Sequence, residues 1–325
     1  MPISIAIQQI DPLTKKTIRE YPSIAKAAEK LNFDESTIRK KLNKNVLAGG
    51  YLWKTPDVVL IDEENKPTEA KILLLDIETA PLEAYIWSLW TKYVGPSLLK
   101  CEWFILTWAA KWLGDDTVYS RKLTSSEALR EDDERIMRDL WDFLDEADII
   151  IAHNGERFDV PKINSRFLLN KMSPPSSYKQ IDTLRVARKE FGFTHNSLDS
   201  LAKLFGIEGK NKTTMELWID CKHGSDDALE EMEEYDIQDV IVLEKVYFKM
   251  RPYIKGHPNL DLYIDSESPV CPQCGEDSLL AVEGKFFYTQ AVRYQLYRCS
   301  SCKALSRGKA GIKYENKKQI SAIPR

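Results

Sequence analysis

No apolar run in the 325-residue sequence reaches the roughly 18 residues that a membrane-spanning helix needs. A basic segment followed by an apolar one, which marks a secretory signal, is also missing near the start. We therefore predict a cytoplasmic protein without membrane contacts. Internal repeats and low-complexity tracts are absent as well, which excludes a repeat architecture.

Cysteine is scarce, with six residues in the whole chain, too few for a disulfide scaffold of this length. Four of them form two CxxC pairs, Cys271–Cys274 and Cys299–Cys302, separated by 24 residues with a strand-like pattern. This spacing predicts a C-terminal zinc ribbon that binds one structural Zn²⁺, with four buried free thiols as the alternative. Cys101 and Cys221 stand alone and are expected to be packing residues.

The composition is that of an ordinary soluble globular protein, with 43% hydrophobic and 30% charged residues. Its length suggests two or three domains. The net charge of −4 is unevenly distributed, because residues 1–54 contain ten Lys or Arg and five Asp or Glu. A module of net charge +5 therefore precedes a body of net charge −9. This asymmetry indicates a polyanionic partner close to a cation-binding site.

The segments that we predict are a helix-turn-helix-like DNA-binding module (1–54), a linker (55–69), an α/β domain (70–256), a second linker (257–270), the zinc ribbon (271–303) and a basic tail (304–325).

The first module starts with an alternating stretch and "TIREY", which predict a β-hairpin. Ser23 is a suitable N-cap for a short helix, and "FDES" predicts a turn before a second helix. We expect this second helix to contact DNA through four basic residues, Arg39, Lys40, Lys41 and Lys44.

The α/β domain begins with three predicted strands and then alternates helices and strands, including one long helix over residues 126–147. Strands that come first and are followed by alternation predict a mixed β-sheet flanked by helices.

The stretch "KILLLDIETAP" places Asp76 and Glu78 two residues apart at the end of a buried strand, so both carboxylates point to the same face. Two such charges repel each other, and a divalent cation would convert the repulsion into coordination by oxygen ligands. Solvated acids at a strand end are the alternative. Further carboxylates bear on the question: Asp159 lies early in the helix that follows a second strand, and Asp239 lies one helical turn after Tyr235, with a solvated acidic helix as the alternative for the latter.

Taken in order, these motifs resemble those of the DEDD superfamily of 3′–5′ exonucleases, which have an RNase H-like fold. "DIET" resembles the first motif, "NGERFD" the second and "YDIQD" the third, and the similarity covers roughly residues 70–250. Tyr235 in the third motif indicates the Tyr type of the superfamily. Glu234 occupies the place where the sister branch has its His.

The resemblance implies two Mg²⁺ or Mn²⁺ ions, with Asp76 bridging both of them. It further implies that Glu78 and Asp239 hold the ion that activates water and that Asp159 supports the second. Tyr235 would orient the attacking water.

Several other residues are expected to have supporting roles near this site. The resemblance implies that Asn154 and Phe158 shape the substrate pocket. Asp182 is either a helix cap or a supporting residue, and His153 and His195 are expected to be structural. Basic and aromatic residues of the zinc ribbon either contact nucleic acid or only stabilise the ribbon; they are Arg293, Tyr294, Tyr297 and Arg298.

The N-terminal module resembles the small helix-turn-helix units that are appended to group I intron homing endonucleases, with protein–protein contact as the alternative. This mixture of domains suggests a phage or mobile-element origin, and hence a location in the host cytoplasm.

The sequence thus predicts a metal-dependent 3′–5′ exonuclease that acts on DNA rather than RNA. An exoribonuclease with the same site, a catalytically inactive DNA-binding protein and a structure-selective endonuclease are the alternatives. The sequence leaves open the oligomeric state and whether a replication or repair protein is a partner.

Overall fold

The computed structural model describes residues 6–56, 69–207, 213–266 and 268–312. The chain forms two compact units, Met1–Thr68 and Glu69–Arg325. Most of the predicted first linker and of the predicted basic tail lies outside the described residues. None of the helices in the described ranges combines the length and the apolar character that crossing a bilayer requires.

The N-terminal unit is an antiparallel sheet of four strands that packs against two short helices. The sheet order is β2-β1-β4-β3. Its core contains Ile7 and Trp53 from the sheet and Ala28 and Ile38 from the helices. The elements are β1 (Ile7–Ile10), β2 (Thr17–Tyr21), α1 (Ile24–Leu31), α2 (Glu35–Lys41), β3 (Lys44–Ala48) and β4 (Tyr51–Lys54).

Short polar residues set the ends of both helices in this unit. Ser23 caps α1, as predicted, by accepting a hydrogen bond from the backbone N–H of Lys26 at 3.1 Å. Asp34 caps α2 by accepting from the N–H of Ser36 at 2.6 Å.

The prediction that Lys44 belongs to the second helix is wrong. The helix ends at Lys41, and Lys44 is the first residue of β3. The preceding Asn43 has φ 58° and donates its backbone N–H to the carbonyl of Trp53 at 2.8 Å, which directs the chain into the sheet.

The second unit contains a mixed five-stranded sheet in the order β11-β10-β5-β8-β9. The pairs β10–β11 and β10–β5 are parallel, whereas β5–β8 and β8–β9 are antiparallel. This arrangement confirms the predicted mixed sheet. The strands are β5 (Ile72–Thr79), β6 (Glu83–Ala84), β7 (Leu99–Cys101), β8 (Ile105–Trp112), β9 (Val118–Lys122), β10 (Ile149–Ala152) and β11 (Lys179–Asp182), of which β6 and β7 form a separate small pair.

Helices cover both faces of this sheet, so the central strand β5 is apolar on both sides. Leu73, Leu75 and Ile77 belong to one hydrophobic cluster, whereas Ile72 and Leu74 belong to another. The helices are α3 (Ser125–Arg130), α4 (Glu134–Glu146), α5 (Asp159–Leu169), α6 (Thr183–Glu190), α7 (Leu198–Leu204), α8 (Met215–Lys222) and α9 (Asp226–Met250).

The single helix predicted over residues 126–147 is wrong, because the chain breaks into α3 and α4. Glu131 ends α3 in the left-handed conformation with φ 58°. Asp133 is fully buried and accepts hydrogen bonds from the N–H of Ile105 at 3.0 Å and from Arg166 at 2.8 Å. These long-range contacts to a strand and to another helix account for the break.

The C-terminal part of this unit is a three-stranded antiparallel sheet with a cluster of four cysteines at one end. Its third strand consists of residues that the sequence placed in the basic tail. Gln273 donates to the carbonyl of Ile254 at 3.1 Å, which connects the cysteine cluster to the α/β part. The strands are β12 (Leu279–Tyr288), β13 (Arg293–Cys299) and β14 (Leu305–Gly311).

Candidate active site

The first two acids of the site lie on one face of the central strand. Asp76 and Glu78 alternate with apolar Ile77, and in the register of the sheet they stand opposite Ala109 and Thr107 of β8. These small partners leave space above the two carboxylates. Both acids are half-buried.

The third acid comes from the long helix that packs on the same face. Helix α9 places Tyr235 and Asp239 one turn apart, with 7% and 4% of their surfaces exposed. Carboxylate oxygens of Asp76, Glu78 and Asp239 all lie within 4.8 Å of one another. The predicted acids of the first and third motifs therefore converge on one point.

The fourth acid, Asp159, is the first residue of α5 and lines the same open cleft, which has a volume of about 640 Å³. It is not part of the group of three that lies within 4.8 Å. Only 1% of its surface is exposed. The residues of the cleft wall include the predicted Asn154 and Phe158 as well as Leu184, Arg188 and His195.

A tight turn between β10 and α5 determines where Asp159 lies. Asn154 has φ 74° and donates its backbone N–H to the carboxylate of Asp182 at 3.0 Å. A Cβ at Gly155 would clash with the side chain of Ala152. Asp182 also caps α6 by accepting from the N–H of Arg185 at 3.1 Å. Asp182 is thus a helix cap, and it also holds the turn that leads to Asp159.

The pKa values of the acids reflect this crowding. The pKa of Asp76 is raised well above its usual value, first by burial and then by the negative charges of Asp159, Asp236, Asp239 and Glu78. Burial also raises the pKa of Asp159 to about 7, although a hydrogen bond from the backbone N–H of Ile77 opposes the shift.

The donor set fits a divalent cation. Within the described ranges, one carboxylate oxygen of Asp159 is buried and has no hydrogen-bond partner. The charged groups that raise the pKa of Asp76 are the carboxylates of Asp159, Asp236, Asp239 and Glu78. Several hard oxygen donors that converge in one cleft match the chemistry of Mg²⁺ or Mn²⁺.

Two residues of the site were not predicted from the sequence. Trp218 of α8 donates its indole N–H to Glu78 Oε2 at 2.9 Å and contacts the ring of Tyr235 edge-on, with centroids 6.1 Å apart. Asp236 is fully buried beneath the cleft and accepts a hydrogen bond from Thr107 at 2.8 Å. Helix α8 itself was not predicted. Asp236 could not be distinguished from the other acids in the acid-rich sequence around it.

His153 has the structural role that was predicted for it. Its ring nitrogens lie 2.9 Å from the hydroxyl of Thr183 and 2.9 Å from the carbonyl of Asn196, so the imidazole connects the start of α6 to the loop before α7. His195 is exposed and lines the cleft.

The four cysteines of the C-terminal sheet converge as closely as the acids do. The Sγ atoms of Cys271 and Cys302 lie 3.6 Å apart, as do those of Cys274 and Cys299. Tetrahedral coordination with Zn–S bonds of about 2.3 Å places sulfur atoms roughly 3.8 Å apart, so the arrangement fits zinc. The N–H of Cys302 also points to the Sγ of Cys299 at 3.4 Å. Cys101 and Cys221 are not part of the cluster.

Aromatic and basic side chains of the C-terminal sheet contact each other. The guanidinium of Arg293 lies 4.3 Å from the ring centroid of Phe286, and that of Arg307 lies 4.2 Å from the ring centroid of Tyr294. Such cation–π pairs stabilise the sheet.

The basic residues predicted to contact DNA have different surroundings in the N-terminal unit. Arg39 and Lys40 are exposed at the end of α2, and Arg39 pairs with Glu35 at 3.3 Å. Lys41 donates to the carbonyl of Leu47 at 2.6 Å. Lys44 lies in β3.

Comparison with known proteins agrees with this architecture. A family model of the RNase_H superfamily matches residues 110–251, which include Asp159, Tyr235 and Asp239. The second unit contains an RNase H-like domain. The predicted fold class is thereby confirmed, although Asp76 and Glu78 precede the matched range. A NUMOD1 domain, which is a DNA-binding helix-turn-helix-like domain, matches residues 13–42.

One solved structure that matches this chain is the family B DNA polymerase from the hyperthermophilic archaeon Pyrobaculum calidifontis. Its sequence identity is 16% and its TM-score is 0.41, over 74% of this chain and 34% of the polymerase chain. The chain therefore spans about a third of the length of that polymerase. No match was found among curated proteins.

The raised pKa of Asp159 predicts how pH changes the stability of the metal-free protein. The folded state binds this proton more tightly than the unfolded chain, so the carboxyl destabilises the fold increasingly as pH rises from 3.8 to about 7. We expect Asp159→Asn to raise the free energy of unfolding in EDTA, and to raise it more at pH 8 than at pH 5. Urea titrations at both pH values measure this difference.

The matched control is Asp142→Asn, which changes an exposed acid of α4 and is expected to have little effect at either pH. A variant of Asp159 that is equally or less stable than the wild type at pH 8 would contradict the assignment of buried charge to this residue.

Proposed function

We propose that this protein is a metal-dependent 3′–5′ exonuclease that hydrolyses phosphodiester bonds of DNA. The observation that carries the proposal is the convergence of Asp76, Glu78 and Asp239 within 4.8 Å in a cleft that Asp159 also lines. The RNase H-like nuclease fold supports cleavage of nucleic acid. The DNA-binding character of the NUMOD1 domain favours DNA over RNA as substrate.

The four acids would hold two Mg²⁺ or Mn²⁺ ions, with Asp76 shared between them. Bound cations would supply Lewis-acid activation of water and would neutralise the charge that develops on the scissile phosphate. The carboxylates would position these ions, and the hydrophobic clusters on both faces of β5 would keep the carboxylates in place.

Side chains around the acids would orient the reactants. Tyr235 lies one turn before Asp239 on α9 and lines the cleft, so its hydroxyl is suited to align the attacking water. Trp218 would position the carboxylate of Glu78 through its indole N–H. Asn154 and Phe158 also line the cleft, where a nucleotide would bind.

The cysteine cluster would bind one structural Zn²⁺. Four thiolates whose sulfur atoms all lie within 4.8 Å of one another form a closed coordination set, which is typical of structural rather than catalytic zinc. The ion would stabilise a small sheet whose strands are largely exposed.

The exonuclease proposal predicts the products and the effect of removing one acid. A time course with 3′- or 5′-labelled DNA and RNA oligonucleotides in Mg²⁺ or Mn²⁺ is expected to give a stepwise ladder from the 3′ end, with DNA preferred. Asp76→Ala should nearly abolish cleavage while the fold survives, because loss of the carboxylate relieves repulsion.

The control variant Asp142→Ala should cleave like the wild type. Full activity of the double variant Asp76→Ala/Asp239→Ala would refute the proposed metal site. A 5′-end ladder or preferential cleavage of RNA would refute the direction or the substrate, respectively.

Tyr235→Phe removes one hydroxyl and keeps the ring. We expect the metal affinity, measured by calorimetry, to be retained and the single-turnover rate to fall about 10²-fold, the lower end of the range for positioned groups. An unchanged rate under conditions where chemistry limits turnover would remove Tyr235 from the mechanism.

The cysteine cluster predicts the metal content of the protein. Elemental analysis is expected to find one zinc per chain in the wild type and in Cys101→Ser, whose residue lies outside the cluster. Cys299→Ser should lose the zinc and lower the melting temperature. Zinc-free wild-type protein that is as stable as the zinc-loaded form would contradict a structural zinc.

The N-terminal module predicts how DNA binding depends on salt. We expect the exposed Arg39 and Lys40 to contact phosphates together with Lys41 and Lys44. The logarithm of the binding constant should then fall linearly with the logarithm of the salt concentration, with a slope of about 0.9 per phosphate neutralised. Deletion of residues 1–54 should weaken binding to long duplex-bearing DNA and flatten this slope. Cleavage of a short single-stranded oligonucleotide should barely change. Equal affinity and equal slope with and without the module would mean that it does not bind DNA.

A further inference from the structure

Between β6 and β7 the chain exposes an unusual set of large apolar side chains. We call residues 85–93 the aromatic loop. Trp87 and Trp90 are 97% and 92% exposed, values at which almost the whole indole is accessible to solvent. The other large residues of the loop are also exposed; they are Tyr85, Ile86, Leu89 and Tyr93. Apolar surface of this extent on a soluble protein marks a binding site.

The base of the loop is firmly anchored. Strand β6 pairs with β7, and the N–H of Tyr85 donates to the carbonyl of Leu98 at 2.9 Å. Buried Lys222 of α8 donates to the carbonyl of Pro81 at 3.1 Å and lies 3.5 Å from Glu83. The exposed rings therefore extend from a fixed base.

The same helix connects the loop to the cleft. Trp218, which donates to Glu78, precedes Lys222 by four residues, so the two contacts lie about one helical turn, or 6 Å, apart along α8. Along the chain, Glu83 follows Glu78 by only five residues, which limits their separation to roughly 18 Å. The base of the aromatic loop therefore lies within roughly 18 Å of Glu78 in the acidic cleft.

The charges of the loop indicate which part of a nucleic acid it would contact. Residues 82–99 contain one acid, Glu83, and one base, Lys92, so the segment neither attracts nor repels phosphates strongly. Indole rings, in contrast, stack on the faces of nucleobases, whatever the base. In a duplex those faces are already stacked on neighbouring base pairs, so only unpaired bases are accessible to the loop.

We propose that the aromatic loop binds the unpaired bases of a nucleic-acid strand that enters the acidic cleft, with Trp87 and Trp90 as the stacking surfaces. This inference rests on the proposed nuclease function of the cleft and specifies its substrate as single-stranded. Without its cations the cleft repels a polyanion, so contacts of this neutral kind would hold the strand while its end reaches the acids.

The test uses the full chain and measures binding in EDTA, where cleavage does not occur. The probes are a fluorescent oligothymidine, an abasic strand of the same length and the matching duplex. Trp87→Ala/Trp90→Ala is expected to weaken oligothymidine binding by at least about fivefold for each ring that is lost. Binding of the abasic strand should not change. Trp87→Phe/Trp90→Phe retains aromatic faces and should preserve most of the affinity.

Leu89→Ala is the matched control, because Leu89 is apolar and 87% exposed but cannot stack. Equal weakening by Leu89→Ala, equal weakening on the abasic strand, or no weakening by the Trp→Ala pair would overturn the proposal. Analytical sedimentation is a further test. A wild-type dimer that becomes a monomer in the Trp87→Ala/Trp90→Ala variant would also overturn the proposal, because the loop would then bind a second copy of the chain.

Binding is measured without turnover, so this result is independent of the cleavage assay. Wild-type protein that cleaves DNA while the Trp→Ala pair binds normally would refute only the role of the loop. Wild-type protein that binds unpaired bases through the loop but does not cleave would refute only the nuclease proposal.

Discussion

Repulsion between carboxylates is the constraint on which the rest of the second unit depends. Asp76, Glu78 and Asp239 bring oxygens within 4.8 Å of one another. At that distance, with an effective dielectric constant of about 20, each pair of full charges costs roughly 3.5 kcal/mol. Since whole domains are stable by only about 5–15 kcal/mol, the protein must either bind a cation here or keep some of these acids protonated.

The sheet explains how the fold withstands this cost. Strand β5 has a parallel neighbour on one side, an antiparallel neighbour on the other and hydrophobic clusters on both faces. Its acids follow four buried residues, so the strand cannot move away to relieve the repulsion. Helix α9 is held in the same way, because Val240, Val242 and Leu243 next to Asp239 are buried in one of these clusters.

The parts of the site that could be predicted from the sequence are those that local periodicity determines. Two-residue alternation puts Asp76 and Glu78 on one face, and four-residue spacing puts Tyr235 beside Asp239. Trp218 could not be predicted, because its contact with Glu78 joins residues 140 positions apart. The break between α3 and α4 has a similar cause, since buried Asp133 satisfies groups on a distant strand and helix. Contacts of this kind depend on the tertiary structure and produce no periodic pattern in the sequence.

The repulsion that the acids exert on one another also acts on a substrate, because every phosphodiester adds a negative charge. Bound cations would offset this repulsion at the scissile phosphate, whereas the rest of the strand would be attracted by parts of the chain outside the cleft. The N-terminal module, with ten basic and five acidic residues, would supply salt-dependent affinity for the backbone. The aromatic loop is nearly neutral and would supply affinity through base stacking. Stacking releases no counterions, so this part of the affinity would depend little on salt. Two such contributions would respond differently to ionic strength. At low salt the module would dominate binding to duplex DNA, and as salt rises the loop would increasingly favour strands whose bases are unpaired.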